Sequence, residues 1–167
     1  MRNLNGLFNP ESMALIGASD TAGKVGNTIL VNLKTWKGPL FLVNPTVSEI
    51  QGRKAYREIE ALPDRIDLSI IALESQSAVE AARKCARKGF RNLILIASGF
   101  SEIGKAGELL ENELKKDVLS KGTRVLGPNT LGIFIPGTGI DTIFVEHGDQ
   151  MFAEPGDVAF ITQSGSV

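Results

Sequence analysis

The sequence predicts a doubly wound α/β domain, a parallel sheet with helices on both faces. Three observations predict it. Short apolar runs alternate along the chain with longer segments of helical periodicity. The runs are continuously apolar, as strands buried on both faces are, rather than alternating. Glycine, proline or asparagine closes most of them, where the chain must turn from strand to helix. Strand–helix alternation implies parallel strands joined by right-handed crossovers.

The first strand is Met13-Ala14-Leu15-Ile16, ended by Gly17. A glycine-rich loop follows, then a helix from about Asn27 to Trp36. Gly38-Pro39 breaks that helix, Leu40-Phe41-Leu42-Val43 forms the second strand, and Asn44-Pro45 stops it. Residues 46–66 are less regular, with a short helix expected from Tyr56 to Leu62. The third strand is Leu68 to Ala72. Ser77 opens the next helix, with Glu80 three residues on completing a capping box. Its apolar positions Ala78, Val79, Ala82, Cys85 and Ala86 recur at helical spacing, and Gly89 ends it. Asn92 to Ala97 is the fourth strand, followed by the loop Ser98 to Gly104. An amphipathic helix from about Lys105 to Ser120 is expected to bury Leu109, Leu110, Leu114 and Val118. Arg124-Val125-Leu126 is the fifth strand, closed by Gly127-Pro128-Asn129, with a further short strand over Gly132 to Ile135.

Three segments follow from this pattern. Residues 1–135 form the ligand-binding domain. Residues 136–156, rich in glycine and proline, read as a linker with one extended piece at Thr142–Glu146. Residues 157–167 read as the beginning of a second domain. There Val158 to Ile161 is a strand, and Thr162 to Val167 a phosphate-binding turn entering a helix. A strand and turn with no helix to follow imply the front part of a longer protein.

Composition excludes several functions. Hydrophobic residues make up 43% of the 167 and charged residues 22%, which suits a packed core rather than a disordered chain. A formal net charge of −1 provides no field for nucleic acid. Cys85 is the only cysteine, so no disulfide forms within the chain, and at its helical position it reads as a small buried hydrophobe. With His147 the only histidine, no zinc-type site is expected, and His147 itself reads as a surface residue. No apolar run approaches the ~20 residues of a membrane span. Met1 to Pro10 lacks the plan of a signal peptide, so the cytoplasm is the expected location.

The chemistry lies in the loop Gly17-Ala18-Ser19-Asp20-Thr21-Ala22-Gly23-Lys24-Val25-Gly26. Between a strand and a helix, glycines let backbone approach a ligand, and the helix N-terminus offers free N–H groups to an anion. The plainer alternative is a tight turn. A Walker A loop needs four residues between its glycines and Ser or Thr after Lys. Here five residues separate Gly17 from Gly23, and Val25 follows Lys24. The NAD fingerprint needs a second glycine where Ser19 stands, and an acid after the second strand where Asn44-Pro45 stands. A neutral Asn tolerates a phosphorylated ribose better than an acid does. Coenzyme A, with a pyrophosphate and a 3′-phosphate, suits these residues better than NAD.

Ala14 to Ser19 together with Gly23-Lys24-Val25-Gly26 resembles the CoA-binding domain of NDP-forming acyl-CoA synthetases. That superfamily includes ADP-forming acetyl-CoA synthetase and is related to the succinyl-CoA synthetase α subunit. Val43-Asn44-Pro45, Ser98 to Gly104, Gly127 to Gly132 and the tail Gly156 to Val167 match in the same order. The resemblance implies a Rossmann-like fold, with the tail opening a flavodoxin-like second domain. It also implies site roles. Gly17, Ala18, Ser19, Gly23, Lys24, Val25 and Gly26 would hold CoA phosphates. Asn44 and Pro45 would border the adenosine. Leu73, Glu74 and Ser75 would lie along the pantetheine arm. Ser98, Gly99 and Glu102 would face the site, and Asn129 would sit near the thiol. Two positions depart from the family: Thr130 stands where members often have Cys, and Leu73-Glu74-Ser75 where many have proline.

In the family, acyl-CoA and phosphate give acyl phosphate and CoA. A histidine of the second domain then passes the phosphate to a nucleoside diphosphate. No catalytic residue is therefore expected within this chain, and Ser164 to Ser166 would help bind the phosphohistidine. The remaining domains or a subunit of the parent are the implied partners, with a homo-oligomer also compatible. Two other readings stay open: a regulatory CoA-binding module of a multidomain lysine acetyltransferase, and a CoA-binding protein without catalysis.

Overall fold

A computed structural model describes residues 4–145 and 154–162. After a short helix α1 (Asn5–Phe8), the chain enters strand β1 (Met13–Ile16), every residue of which is buried. Helix α2 (Val25–Asn32) follows the glycine-rich loop and tightens into a 3-10 turn over Leu33–Thr35. Strand β2 (Leu40–Val43) comes next, then a hairpin of β3 (Glu49–Ile50) and β4 (Arg53–Tyr56). The chain crosses back through β5 (Leu68–Ile71), α3 (Ser75–Arg87), β6 (Asn92–Leu95), α4 (Lys105–Asp117) and β7 (Arg124–Leu126). The sheet order is β3-β4-β2-β1-β5-β6-β7, and only the β3–β4 pairing is antiparallel. This is a doubly wound Rossmann-like sheet.

Each face of the sheet carries its own core. On one, Ile71, Leu93 and Leu95 meet the α3 stripe Ala78, Val79, Ala82 and Cys85, with Phe90 and Phe100 fully buried beside them. On the other, Leu15, Leu42 and Ile70 meet Ile29, Leu30 and Leu33. That two-sided burial is the physical reason for the continuously apolar strand runs.

Several expected elements change in detail. The less regular region after Asn44 holds a hairpin, and the short helix expected from Tyr56 to Leu62 shrinks to one turn. Gln51 and Gly52 both take positive φ, 49° and 73°, which makes the two-residue hairpin turn between β3 and β4, and only Ile59–Ala61 is a 3-10 turn. Helix α3 begins at Ser75, two residues before the expected Ser77, and its N-cap Glu74 makes no side-chain capping bond. The Ser77/Glu80 capping box is therefore not formed. In α4, Leu114 and Val118 are buried, but Leu109 is 67% exposed, because that residue lies on the outer side of the helix.

The strand expected near Ile135 exists but leaves the main sheet. β8 (Phe134–Ile135) pairs antiparallel with β9 (Ile140–Asp141). This hairpin folds back against α2: Ile140 and Thr142 are buried, and Asn32 Nδ2 donates to the carbonyls of Ile143 (2.7 Å) and Val145 (3.1 Å). The first part of the expected linker thus packs on the domain, and the extended piece from Thr142 is held by the Thr142 N–H, which donates to the Ile133 carbonyl at 2.9 Å, and by Asn32. Among the described residues Val158 to Ile161 forms no strand, and Val158, Phe160 and Ile161 are exposed at 93%, 78% and 91%. His147, Ser164, Ser166 and most of the expected terminal turn lie outside the described residues.

Candidate cofactor site

The chain leaves β1 toward β2 on one side and later returns to β5 on the other. The loops after β1 and β5 therefore diverge and open a crevice at the C-terminal ends of the strands, the ordinary ligand position in such sheets. Two glycines let the first loop fold tightly there. Gly17 has φ +89°, and a Cβ on it would lie 2.4 Å from the Ala72 carbonyl oxygen. A Cβ on Gly26 would lie 1.9 Å from the Gly17 oxygen, so α2 starts directly on the loop. Gly23 differs: its φ is +80°, yet a Cβ there would meet nothing within 4 Å. Its open side faces away from the protein.

Lys24 is the N-cap of α2, extended and exposed, and makes no side-chain cap bond. Among the described residues no acceptor meets the N–H groups of Val25 and Gly26. An uncapped first turn is an anion seat, and Lys24 adds a full positive charge at its edge.

Side chains brace the loop from beneath. Gly17 and Ala18 donate their N–H groups to the Val43 carbonyl at 3.0 and 3.2 Å. Asn27 Nδ2 donates to the Ser19 carbonyl at 3.1 Å, and Thr21 N–H donates to Ser19 Oγ at 3.0 Å. Ser19 Oγ thereby accepts one bond and keeps its own proton for a donor role. Asp20 Oδ1 accepts the Gln51 N–H at 3.0 Å, tying the loop to the β3–β4 turn. Asn44 sits at the end of β2 as expected, but its amide is committed internally. Nδ2 donates to the Ala18 carbonyl, while Oδ1 accepts from Thr46 N–H, Thr46 Oγ1 and Val47 N–H. Its place borders the crevice; its side chain positions the loop. Pro45 follows it on the surface. The braces Asn27 and Asp20 carry no signal of their own in the sequence, since any loop contains such residues.

The opposite wall comes from β5 and β6. Leu73 Cδ2 lies 2.8 Å from where a Gly17 Cβ would stand, and Ser75 Oγ lies 3.1 Å from the corresponding point on Gly99. Leu73, Ser75, Gly17 and Gly99 are thus brought together, with exposed Glu74 and Ser98 next to them in the chain. Glu102 turns its carboxylate onto its own loop, accepting from Gly99 N–H at 2.5 Å and Phe100 N–H at 3.1 Å. Desolvation opposes its charge, but these N–H donors outweigh it and hold the carboxyl below the usual range. Asn129, with φ 54°, donates its N–H to the Ala97 carbonyl at 2.8 Å and so stays at the end of β6. Thr130 Oγ1 accepts the Gly132 N–H at 3.3 Å.

No group of His, Cys, Asp and Glu suited to a metal ion occurs among the described residues. Cys85 is fully buried on the sheet-facing side of α3, and desolvation, followed by the Glu60 charge, pushes its thiol up to about 12. Among the described residues no helix is long and apolar enough to cross a membrane.

Residues 11–136 match the family described as CoA binding domain. The chain is 36% identical over 160 residues to the acetate–CoA ligase (ADP-forming) I of Archaeoglobus fulgidus, covering 96% of this chain and 23% of that protein. It is 34% identical over 165 residues to the α subunit of acetate–CoA ligase (ADP-forming) II of Pyrococcus furiosus, covering 98% of this chain and 35% of that subunit. A Pyrococcus horikoshii OT3 protein of known crystal structure superposes with a TM-score of 0.89 at 36% identity, over 98% of this chain and 37% of its own. The chain therefore spans between about a quarter and a third of the curated relatives described.

Proposed function

Because this chain belongs to the CoA binding domain family, we propose that it is the CoA-holding domain of an ADP-forming acyl-CoA synthetase. The observation that carries the reading is the uncapped start of α2 behind the open side of Gly23, with a neutral residue, Asn44, at the end of β2.

The residues fit the ligand. The N–H groups of Val25 and Gly26, the Ser19 hydroxyl and Lys24 supply donors and charge for a pyrophosphate. The absence of an acid after β2 spares a 3′-phosphate from like-charge repulsion. Leu73, Ser75 and Gly99, gathered past the ends of β5 and β6, would border the pantetheine arm, with Ser98 and Asn129 toward its thiol end. CoA itself supplies the thiol that carries the acyl group; the protein residues orient it and exclude alternatives.

In the full reaction, phosphate displaces CoA from acyl-CoA to give acyl phosphate, and a histidine relays the phosphoryl group to ADP. We assign those steps to the remaining domains or a partner subunit, as the α-subunit name of the Pyrococcus furiosus relative suggests. This reading places the protein in the cytoplasm.

Calorimetry with CoA, NAD and ATP tests the assignment. CoA is expected to bind more tightly than either. NAD binding as tightly as CoA overturns it.

A further inference from the structure

Asp20 is the one acid between Gly17 and Gly26, and it is exposed. A carboxylate in a loop that receives phosphates repels the ligand. Among the described residues no ion pair neutralises Asp20. Its charge works against the cofactor, so its use lies in the bond it makes. Oδ1 accepts the Gln51 N–H at 3.0 Å, from a residue 31 positions further along the chain.

Gln51 and Gly52 are the two central residues of the turn between β3 and β4, with φ 49° and 73°. The hydrogen bond that closes such a turn joins the residues flanking the central pair, here Ile50 and Arg53, and leaves the Gln51 N–H over. Asp20 thus takes a donor that the hairpin itself does not use. The hairpin is anchored in other ways. Ile50 is fully buried in the core on the α2 side, and β4 pairs with β2 through Leu42–Ala55 and Val43–Tyr56. The Asp20 bond therefore sets where the turn stands, not whether it forms.

That position matters to the crevice. Tyr56, the last residue of β4, lies level with Val43, whose carbonyl holds Gly17 and Ala18, and the Tyr56 carbonyl accepts the Asn44 N–H at 2.9 Å. Asn44 in turn ties its own end of the segment to Ala18. The stretch from β2 to β4 is therefore fastened to the glycine-rich loop at two points, Asn44–Ala18 and Gln51–Asp20. We infer that Asp20 is a positioning residue for the cofactor: it latches the β3–β4 turn to the glycine-rich loop, and the latched turn walls the nucleotide end of the site. This rests on the CoA reading above.

Two neutral variants test the latch. Asp20→Asn keeps an acceptor oxygen, whereas Asp20→Ala removes it. Both abolish the repulsive charge, so the difference between them reports the bond alone. By calorimetry Asp20→Asn should bind CoA at least as tightly as the parent, and Asp20→Ala about fivefold more weakly than Asp20→Asn, the worth of one ordinary hydrogen bond. In the ligand-free proteins, the Gln51 amide should exchange with solvent faster in Asp20→Ala than in Asp20→Asn, as read by NMR. In the parent, CoA should shift the Gln51 and Gly52 amide signals. Urea midpoints of the two variants should agree, since Asp20 is exposed and the hairpin is anchored by Ile50. Equal CoA affinity of the two variants, equal Gln51 exchange, or Gln51 and Gly52 signals unmoved by bound CoA overturns the latch and leaves the cofactor assignment standing. A parent protein that binds no CoA overturns both.

Discussion

Asn44 holds Ala18: its Nδ2 donates to the Ala18 carbonyl at 2.8 Å, across the gap between the end of β2 and the glycine-rich loop. The same side chain accepts from Thr46 N–H at 2.9 Å, so one residue fixes two loops. Asn44→Ala removes the brace and leaves the Ala18 carbonyl seeking water. Each bond is worth about 0.5–1.5 kcal/mol, so losing the two named, to the Ala18 carbonyl and from Thr46 N–H, should lower stability to urea by at least about 1–3 kcal/mol. CoA affinity should fall with it, because the anion seat depends on the loop's shape. A direct ligand contact would behave otherwise, weakening CoA while leaving the unfolding midpoint in place.

Gly23 and Gly26 separate the ligand's side of the loop from the protein's. Gly26→Ala places a Cβ 1.9 Å from the Gly17 oxygen, with backbone on both sides of the contact. It should destabilise the domain by several kcal/mol, as overpacking against backbone does at its upper end, about 3 kcal/mol or more. Gly23→Ala meets no atom within 4 Å and bears only the strain of φ +80°, about 1–2 kcal/mol. It should fold, with a Tm only a few degrees lower, yet bind CoA weakly because the methyl group occupies the ligand's approach. Thermal unfolding and calorimetry on both variants check this. Equal stability of the two would show that α2 does not start on the loop as described.

The central fold was legible because the two cores make β1 and β2 wholly apolar and leave β5 and β6 apolar but for Ser69 and Asn92. The glycine-rich loop was legible for a related reason: only close backbone approach requires so many glycines between a strand and a helix. The β3–β4 hairpin was not. Arg53 and Lys54 sit on a half-exposed edge, so polarity conceals the strand, and the Gln51-Gly52 turn lacks the Asn-Gly signature. The start of α3 was misplaced because Ser77/Glu80 has the spacing of a capping box, while the first turn actually opens uncapped onto the crevice. The role of Asn44 was half legible. Its place at the end of β2 follows from the sequence, but a side chain's choice between ligand and neighbouring carbonyl is decided by loop geometry. The packing of the hairpin at Phe134–Asp141 rests on Asn32, a contact across more than a hundred residues that no local pattern encodes.

Cys85 should be chemically silent in the folded protein. Its side chain is fully buried and its thiol is pushed up to about 12, so almost no thiolate exists at pH 8 and none is accessible. Iodoacetamide at that pH should leave the native protein unmodified and add one label once denaturant unfolds it, as read by mass spectrometry. Cys85→Ser should cost stability through the buried hydroxyl, without changing CoA affinity. Rapid labelling of the folded protein would show that α3 opens from the sheet.

Lys24 tests the electrostatics of the seat most directly. Its backbone begins α2 while its side chain is exposed and makes no cap bond, so nothing in the folded domain requires the charge there. Removing it with Lys24→Ala should leave the unfolding midpoint nearly unchanged, as surface substitutions do. CoA binding should weaken by about 1.5–3 kcal/mol, the range for hydrogen bonds to charged groups. Salt then distinguishes two sources of that loss. A screened charge at the rim loses value as ionic strength rises, so the gap between parent and variant should narrow between 20 mM and 500 mM salt. Lys24→Arg keeps the charge and should recover most of the affinity. Dephospho-CoA, which lacks the 3′-phosphate but keeps the pyrophosphate, should suffer the same loss as CoA if Lys24 serves the pyrophosphate at the helix start. A loss seen with CoA but not with dephospho-CoA would move Lys24 to the ribose phosphate and leave the pyrophosphate to the backbone of Val25 and Gly26.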